Sequence, residues 1–155
     1  MKVWNKTNEI KINAQFEEKV GFHVWYEDDV DSNTKDAIDK FLNWVYNNYN
    51  VKTPVFVNCV NQDFVTYEND DVEQGYIFNW YTSNLNDGVI KSDECPDILL
   101  PVKTGKWDLE DILGSLVEAI TLYFAWCLNV LDDEFTVEDE EVQEIVDKYY
   151  TLFEE

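Results

Sequence analysis

The chain has 155 residues, of which 45% are hydrophobic and 15% aromatic, and this is enough apolar material to close the core of one domain. Its 33 aspartates and glutamates face 11 lysines and no arginine, which gives a formal net charge of −22. This composition argues against intrinsic disorder, and the charge argues against direct binding of nucleic acid, anionic membranes or nucleotide phosphates.

The first 27 residues contain short runs of β-branched and aromatic residues, among them EIKIN and KVGFHVWYE, and these predict two or three antiparallel strands. After the acidic turn EDDVDSN, either Ser32 or Thr34 is placed to cap a helix. Apolar residues then recur three or four apart, at Ile38, Phe41, Leu42, Val45 and Tyr49. The predicted helix ends near NNYN, before Pro54.

The middle third returns to short apolar runs, which are PVFVNCV, FVTYE, GYIFNWYTS and GVIKS. Asn86, Asp87 and Gly88 lie between the last two runs and suit the left-handed conformations of a tight hairpin. The runs therefore predict a β-meander. In DILLPVK, Pro101 interrupts the pattern, so this segment is predicted to be an edge strand or an extended connection.

Two helices are predicted beyond Gly105. Asp108, with Asp111 three residues later, predicts a capped start, and apolar residues on most sides of this helix predict that it is buried. Thr136 is the predicted cap of the last helix. The apolar stripe of that helix consists of Val142, Ile145, Val146, Tyr149, Leu152 and Phe153.

Together these elements predict a single α+β domain over residues 1–155, with an antiparallel sheet of about five or six strands covered by an early helix and a C-terminal helical pair. No apolar run follows the first lysine, and no stretch of eighteen apolar residues occurs. Cys59, Cys95 and Cys127 are dispersed, match no zinc spacing and are expected to be reduced thiols. We therefore expect a cytoplasmic protein without a membrane partner.

Signatures of catalysis and metal binding fail on their spacing. An EF-hand read from Asp29 has Thr34 where glycine is required and Lys40 where a bidentate glutamate is required. His23 is the single imidazole, and no spacing pairs it with a nucleophile. The composition leaves one catalytic arrangement open, in which two of the carboxylates meet in a cleft. The expectation is a protein that is not an enzyme and has no cofactor and no metal site.

The carboxylates concentrate in three clusters. The first acidic cluster is Glu27, Asp28, Asp29 and Asp31, and the second is Glu68, Asp70, Asp71 and Glu73. The third acidic cluster is Asp132, Asp133, Glu134, Glu138, Asp139, Glu140, Glu141, Glu144 and Asp147. These clusters are the candidate partner-binding surface.

Within the third cluster, Glu140, Glu144 and Asp147 are spaced to form one row on the helix, opposite its apolar stripe. Like charges in such a row destabilise a helix, although acids in the first turn interact favourably with the helix dipole. Two interpretations stay open for this row. It is either a solvated face or a line of charges offered to a basic groove that is built for nucleic acid.

Some aromatic residues near the acids are candidates either for interface anchors or for the core. They are Tyr149, Tyr150 and Phe153 on the last helix, and Trp80 and Tyr81 near the hairpin. In size, acidity and missing catalytic groups, the chain resembles small acidic bacterial immunity proteins as a class. The resemblance transfers no residue roles. It implies an inhibitor of a nuclease, or of another nucleic-acid-binding protein. From the distribution of the acids themselves, we expect the three clusters and Tyr150 to be the docking surface.

Two alternatives remain at this point. One is a phage or mobile-element DNA mimic that disarms a restriction or CRISPR effector. The other is an acidic protein without a cationic target. The sequence leaves open whether the protein is a monomer or a dimer.

Overall fold

The computed structural model describes residues 3–5, 12–80, 88–103 and 105–152. The elements are β1 (Gln15–Phe16), β2 (Gly21–Tyr26), α1 (Ser32–Asn48), β3 (Pro54–Val60), β4 (Ile77–Asn79), β5 (Val89–Ile90), a 3₁₀ turn (Ser92–Glu94), β6 (Asp97–Pro101), α2 (Leu109–Cys127) and α3 (Asp139–Thr151). The fold class is α+β, as the sequence predicts. None of the helices in the described ranges combines the length and the apolar character that crossing a bilayer requires.

The main sheet is mixed, so the prediction of one antiparallel sheet is wrong. Its strand order is β2-β3-β6-β4, in which β2, β3 and β6 run parallel and β4 runs antiparallel to β6. A second sheet consists of β1 and β5, which pair in parallel. Of the strands expected within the first 27 residues, KVGFHVWYE contains β2, whereas most of EIKIN lies outside the described residues. β2 pairs in parallel with β3 because α1 forms the crossover between these neighbouring strands.

The composition of β3 follows from its central place in the sheet. Val55, Val57 and Cys59 belong to the core between the sheet and the helices and are fully buried. Val60 belongs to a smaller cluster with Ile77 on the opposite side of the sheet. A strand covered on both faces carries a nearly continuous apolar run, which is typical of parallel sheets. PVFVNCV is such a run.

The described part of the middle third does not form the predicted meander or hairpin. β4 pairs with β6 and β5 pairs with β1, so the two strands expected to form the hairpin lie in different sheets. Asn86 and Asp87 fall outside the described residues, and FVTYE contributes an isolated bridge between Val65 and Gln74.

DILLPVK is also placed wrongly by the sequence, because β6 is an inner strand. Pro101 is tolerated there as its last residue.

The helices begin close to the predicted positions, but the predicted caps of α1 and α3 differ from the observed ones. Asp31 is the residue that precedes α1, so Ser32 and Thr34 do not cap it. The predicted cap of α2 is confirmed, because the Asp108 side chain accepts a hydrogen bond from the Asp111 backbone N–H at 2.8 Å. A carboxylate in this position satisfies one of the free N–H groups of the first turn.

α2 is the central helix of the core, with eleven of its nineteen residues buried. The Tyr123 hydroxyl accepts hydrogen bonds from the backbone N–H groups of Lys52 and Thr53 at 3.3 and 3.2 Å. These bonds attach α2 to the chain just before β3. At the same end of the core, the Trp4 indole N–H donates to Thr121 Oγ1 at 2.7 Å.

Candidate partner-binding surface

α3 begins later than the sequence predicts. Glu138 precedes the helix without a side-chain cap hydrogen bond, and the Thr136 hydroxyl donates to Glu138 Oε1 at 3.5 Å instead of capping the helix. Acids fill the first turn from Asp139 to Glu141. They interact favourably with the partial positive charge at the helix N-terminus, so this part of the third acidic cluster has a structural reason.

The apolar side of α3 is anchored in the core. Its buried residues are Ile145, Val146 and Tyr149. The Tyr149 ring lies edge-on to Phe41 and Trp44 of α1, with ring centroids 4.9 and 5.3 Å apart. Leu152, predicted in the same stripe, is 58% exposed because the helix ends at Thr151, and Phe153 falls outside the described residues. The anchored side fixes which side of α3 faces solvent.

Glu140, Glu144 and Asp147 (the α3 face) are all exposed on the outer side of this helix. The side-chain amide of Gln143 donates to Asp147 Oδ1 at 2.7 Å and orients that carboxylate. The helical rise separates neighbouring members of the row by about 5 to 6 Å along the axis. The structure therefore presents a row of like charges on a fixed helix.

The loop before α3 adds further exposed acids. Asp132, Asp133 and Glu134 are exposed, and Asp132 Oδ1 accepts a hydrogen bond from the Glu134 backbone N–H at 2.9 Å. Such a local bond holds the loop in a turn. Glu138 is exposed as well, whereas Glu141 is half-buried. The third acidic cluster thus lies on α3 and on an ordered turn beside it.

The structure adds acids of α2 that the sequence did not assign to this surface. Tyr150 is half-buried, and its pKa is raised by burial and then by the negative charges of Glu110 and Asp108. These interactions place the first turn of α2 beside the last turns of α3. Asp108 and Glu110 therefore lie near Tyr150, at the end of α3.

A cleft of about 410 Å³ opens between α2, β4 and the loop before α3. Its lining includes Tyr67, Tyr76, Trp80, Glu118, Asp132 and Phe135 (the aromatic cleft). Burial, and then the charge of Asp139, raise the pKa of the Glu118 carboxyl. Trp80 is 49% exposed and stacks on Phe78, whereas Tyr81 falls outside the described residues. The sequence did not connect these aromatic residues with the third acidic cluster.

The first acidic cluster lies where β2 ends. Asp28 and Asp29 are exposed, Asp31 is half-buried, and Asp29 has a left-handed backbone with φ 73°. Glu27 Oε1 accepts a hydrogen bond from the Asn61 backbone N–H at 3.2 Å, which ties this turn to the residue that follows β3. The cluster therefore stands at the carboxyl ends of the parallel strands.

The second acidic cluster lies in the loop between β3 and β4. Asp70 and Asp71 are exposed, and Asp70 Oδ1 accepts a hydrogen bond from the Val72 backbone N–H at 2.9 Å. The bridge between Val65 and Gln74 closes the base of this loop. Since the loop starts where β3 ends, the first two clusters share one edge of the sheet, and the third occupies the helical layer.

Lysines in the described ranges stand partly over aromatic rings. The ammonium groups of Lys35, Lys106 and Lys148 lie 5.9, 4.9 and 5.7 Å from the ring centroids of Tyr26, Phe64 and Tyr49, respectively. Lys103 Nζ lies 3.6 Å from Asp63 Oδ1, and both side chains are about half exposed. Asp63 belongs to none of the three acidic clusters, and an exposed pair of this kind contributes little stability.

The remaining chemistry-bearing side chains are held in structural contacts. The His23 ring lies 5.1 Å from the Phe56 ring, and its Nε2 is 2.7 Å from the Lys19 carbonyl oxygen. Cys59, Cys95 and Cys127 are free and buried, and burial raises their pKa to about 12, 11 and 12. Within the described part of the chain, no three histidine, cysteine or carboxylate side chains lie close enough to hold a metal ion.

No protein-family model, curated protein or solved structure matches this chain. The geometry of the surface is thus the basis for its interpretation. That geometry combines a row of exposed carboxylates, an ordered acidic turn and an adjoining aromatic cleft.

Proposed function

We propose that this chain is an acidic inhibitory protein that docks on a basic protein surface, most specifically an immunity protein that neutralises a nuclease toxin. The observation that carries the proposal is the α3 face. Its carboxylates are exposed on a helix whose opposite side is fixed in the core by Tyr149. An anionic row held in one direction matches a groove whose cationic groups normally bind phosphates.

Charge accounts for the speed and selectivity of such binding. A net charge of −22 attracts a basic partner over a distance and raises the association rate by about 10- to 1,000-fold at low ionic strength. The same charge repels nucleic acid, so the protein competes for the nuclease without binding its substrate. Added salt should therefore slow association steeply.

The aromatic cleft supplies a place for short-range contact. Its aromatic rings and the carboxylates of Glu118 and Asp132 suit the side chain of a lysine or arginine from the partner. A cation entering the cleft would favour the ionised form of Glu118, whose pKa burial raises in the free protein. Long-range attraction by the α3 face and local contact in the cleft would then act on one partner.

A second candidate is a phage or mobile-element DNA mimic that disarms a restriction or CRISPR effector. The position of Asp108 and Glu110 near Tyr150 at the end of α3 favours it, because a DNA mimic needs a longer run of charge than an inhibitor of a single cleft. The genes beside this one separate the two candidates. An upstream toxin gene supports immunity, and phage structural genes support anti-defence.

The test measures nucleic-acid cleavage by purified proteins that are encoded beside this gene. One arm uses nuclease toxins, and the other arm uses restriction or CRISPR effectors. The variant carries Glu140→Gln, Glu144→Gln and Asp147→Asn. The matched control carries Glu17→Gln, Asp36→Asn and Asp93→Asn, which are exposed sites away from α3 and change the net charge equally. For each protein, inhibition of cleavage and the rate of association with the target are measured at low and moderate salt.

We expect the wild type to inhibit cleavage and the α3 variant to associate roughly tenfold more slowly at low salt, with a smaller change in the control. Equal loss in both variants would show that net charge, and not the α3 face, directs binding. If the wild type binds and inhibits no basic protein, the proposal fails and the acidic protein without a cationic target is the correct description.

A further inference from the structure

β2 forms an open edge of the main sheet. Among the described residues it pairs with β3 alone, and the Gly21 and Glu27 backbone N–H groups donate to the Thr53 and Cys59 carbonyls at 3.2 and 2.9 Å. In a parallel ladder this register directs the backbone groups of alternate residues toward β3. The backbone groups of the other residues, Phe22, Val24 and Tyr26, therefore point away from the sheet. No described residue hydrogen-bonds to their backbone groups.

A groove runs along this open edge. It has a volume of about 390 Å³ and lies between β2 and α1. Its strand side includes Phe22 and Val24, and its helix side is formed by Asp39, Leu42, Asn43 and Tyr46. Asp39, Asn43 and Tyr46 are spaced to lie along one side of the helix, and all three are exposed. The groove thus has a wall of side chains on one flank and free backbone groups on the other.

The edge also lacks the usual protection against pairing. Edge strands commonly carry a lysine, a proline or a bulge that prevents the addition of another strand. GFHVWY, the sequence of β2, contains neither lysine nor proline, and its register with β3 is continuous from Gly21 to Tyr26. Trp25 is 53% exposed and Tyr46 is 43% exposed, so large aromatic surface borders the edge.

The charge around the groove identifies the kind of strand it suits. Asp39 lines the groove and accepts a hydrogen bond from the Tyr26 hydroxyl at 2.6 Å, and Asp28 and Asp29 follow the end of β2. Lys19 lies at the opposite end. A basic side chain would therefore be favoured near the carboxyl end of β2. A second copy of the chain is disfavoured, because each copy carries −22.

We propose that the open edge of β2 accepts an extended segment of a basic partner protein, which adds to the sheet as a further strand between β2 and α1. Backbone hydrogen bonds to Phe22, Val24 and Tyr26 would supply affinity, and the α1 wall would select the side chains. This site is separate from the α3 face, so it does not depend on the proposed function.

The test uses a capped peptide of four Lys-Val repeats with a fluorescent label, and it follows amide hydrogen exchange of the whole protein by NMR. On binding, we expect the amides of Phe22, Val24 and Tyr26 to become protected. The amides of His23 and Trp25, which already face β3, serve as internal controls and should change little. Saturable binding without protection at the three outward amides would overturn the proposal.

Two control peptides separate strand addition from simple charge attraction. Four Lys-Pro repeats have the same charge but cannot form a regular strand, and we expect their binding to be roughly tenfold weaker, as loss of two or three hydrogen bonds implies. Four Glu-Val repeats have strand character with the opposite charge and should not bind. Equal binding of the Lys-Pro and Lys-Val peptides would contradict strand addition.

Variants of the edge test the same point from the protein side. Val24→Pro removes one outward N–H and leaves the ladder with β3 complete, so it should weaken binding of the Lys-Val peptide by about fivefold, the effect of one lost hydrogen bond. Val24→Ala keeps that N–H and is the matched control. If Val24→Pro does not fold, Asn43→Trp replaces it, because a large side chain there fills the groove from the helix.

Peptide binding by Asn43→Trp as tight as by the wild type would refute the site. In the peptide-free protein, an increase in the protection of the three outward amides with protein concentration would show pairing between two copies of the chain. That result would overturn the choice of a basic partner.

Discussion

α2 and α3 are neighbouring antiparallel helices with opposite character. α2 has eleven buried residues among nineteen, whereas α3 has three among thirteen. Packing therefore determines most positions of α2, while the outer side of α3 is free of packing constraints and is occupied by carboxylates. Burial is therefore expected to contribute most of the stability in α2, whereas like charges beyond the first turn of α3 oppose helix formation. A surface that costs stability without improving packing is a reasonable place to look for function.

The largest expected effect comes from the core of α2. Leu116 is fully buried, and Leu116→Ala should lower the free energy of unfolding by about 2 to 5 kcal/mol through lost burial and a cavity. Urea unfolding followed by circular dichroism measures the change. Gln143→Ala on the exposed side of α3 is the comparison, with an expected change within about 0.5 kcal/mol. Similar losses at the two sites would break the contrast between the helices.

The next effect concerns the polar contact that holds α2 to the sheet. Tyr123→Phe removes the hydroxyl that accepts hydrogen bonds from the Lys52 and Thr53 backbone and leaves those N–H groups without this acceptor. We expect a loss of about 1 to 3 kcal/mol. Thermal and urea unfolding test it against Tyr46→Phe, whose ring is 43% exposed and whose change should be small. A loss as large at Tyr46 would contradict this explanation.

A smaller effect of opposite sign is expected on α3. Asp147 lies toward the C-terminal end of the helix, in a row of like charges, and Asn in its place still accepts the hydrogen bond from Gln143. Asp147→Asn should therefore raise the free energy of unfolding by about 0.3 to 0.5 kcal/mol at low salt.

The matched change for that prediction is Glu140→Gln in the first turn. It should bring no gain, because lost repulsion is offset by a lost interaction with the helix dipole. Unfolding measured at low and high salt distinguishes the two sites. A clear loss of stability in Asp147→Asn would show that this carboxylate has a structural role.

The smallest effect is the response to pH where the two helices meet. Burial and the charge of Asp139 raise the pKa of Glu118, so the folded state binds a proton at a higher pH than the unfolded chain does. Stability should therefore increase as the pH falls toward the ordinary range of a glutamate carboxyl, by less than about 0.3 kcal/mol for this partly exposed group. Glu118→Gln should be more stable at pH 7 and show a flatter profile. A wild-type melting temperature that falls as the pH is lowered over this range would contradict the raised pKa of Glu118.

The sequence predicts the helices better than the sheet, for a physical reason. The Asp108 cap and the positions of Ile145, Val146 and Tyr149 depend on contacts within a few residues, and the pattern of one segment contains them. The predicted cap at Thr136 is wrong, because the helix starts two residues later, after Glu138. Strand neighbours are not local, so DILLPVK gave no sign that it lies between β3 and β4.

The candidate site divides in the same way. The sequence identified the acidic clusters and the row of the α3 face, since both follow from residue type and helical period. It did not associate Asp108 and Glu110 with α3, or Glu118 with Trp80, because these residues meet through the packing of separate elements.

By itself the sequence determined an α+β chain of extreme negative charge with two C-terminal helices, one buried and one carrying acid on its outer side. Only the tertiary structure decided that β2 and β3 are parallel, that the other edge of β2 is open beside α1, and that the acids of α2 adjoin α3. Helical faces are set by neighbours three or four residues away. Strand order and surface continuity are set by hydrogen bonds and packing between distant segments, which no local pattern specifies.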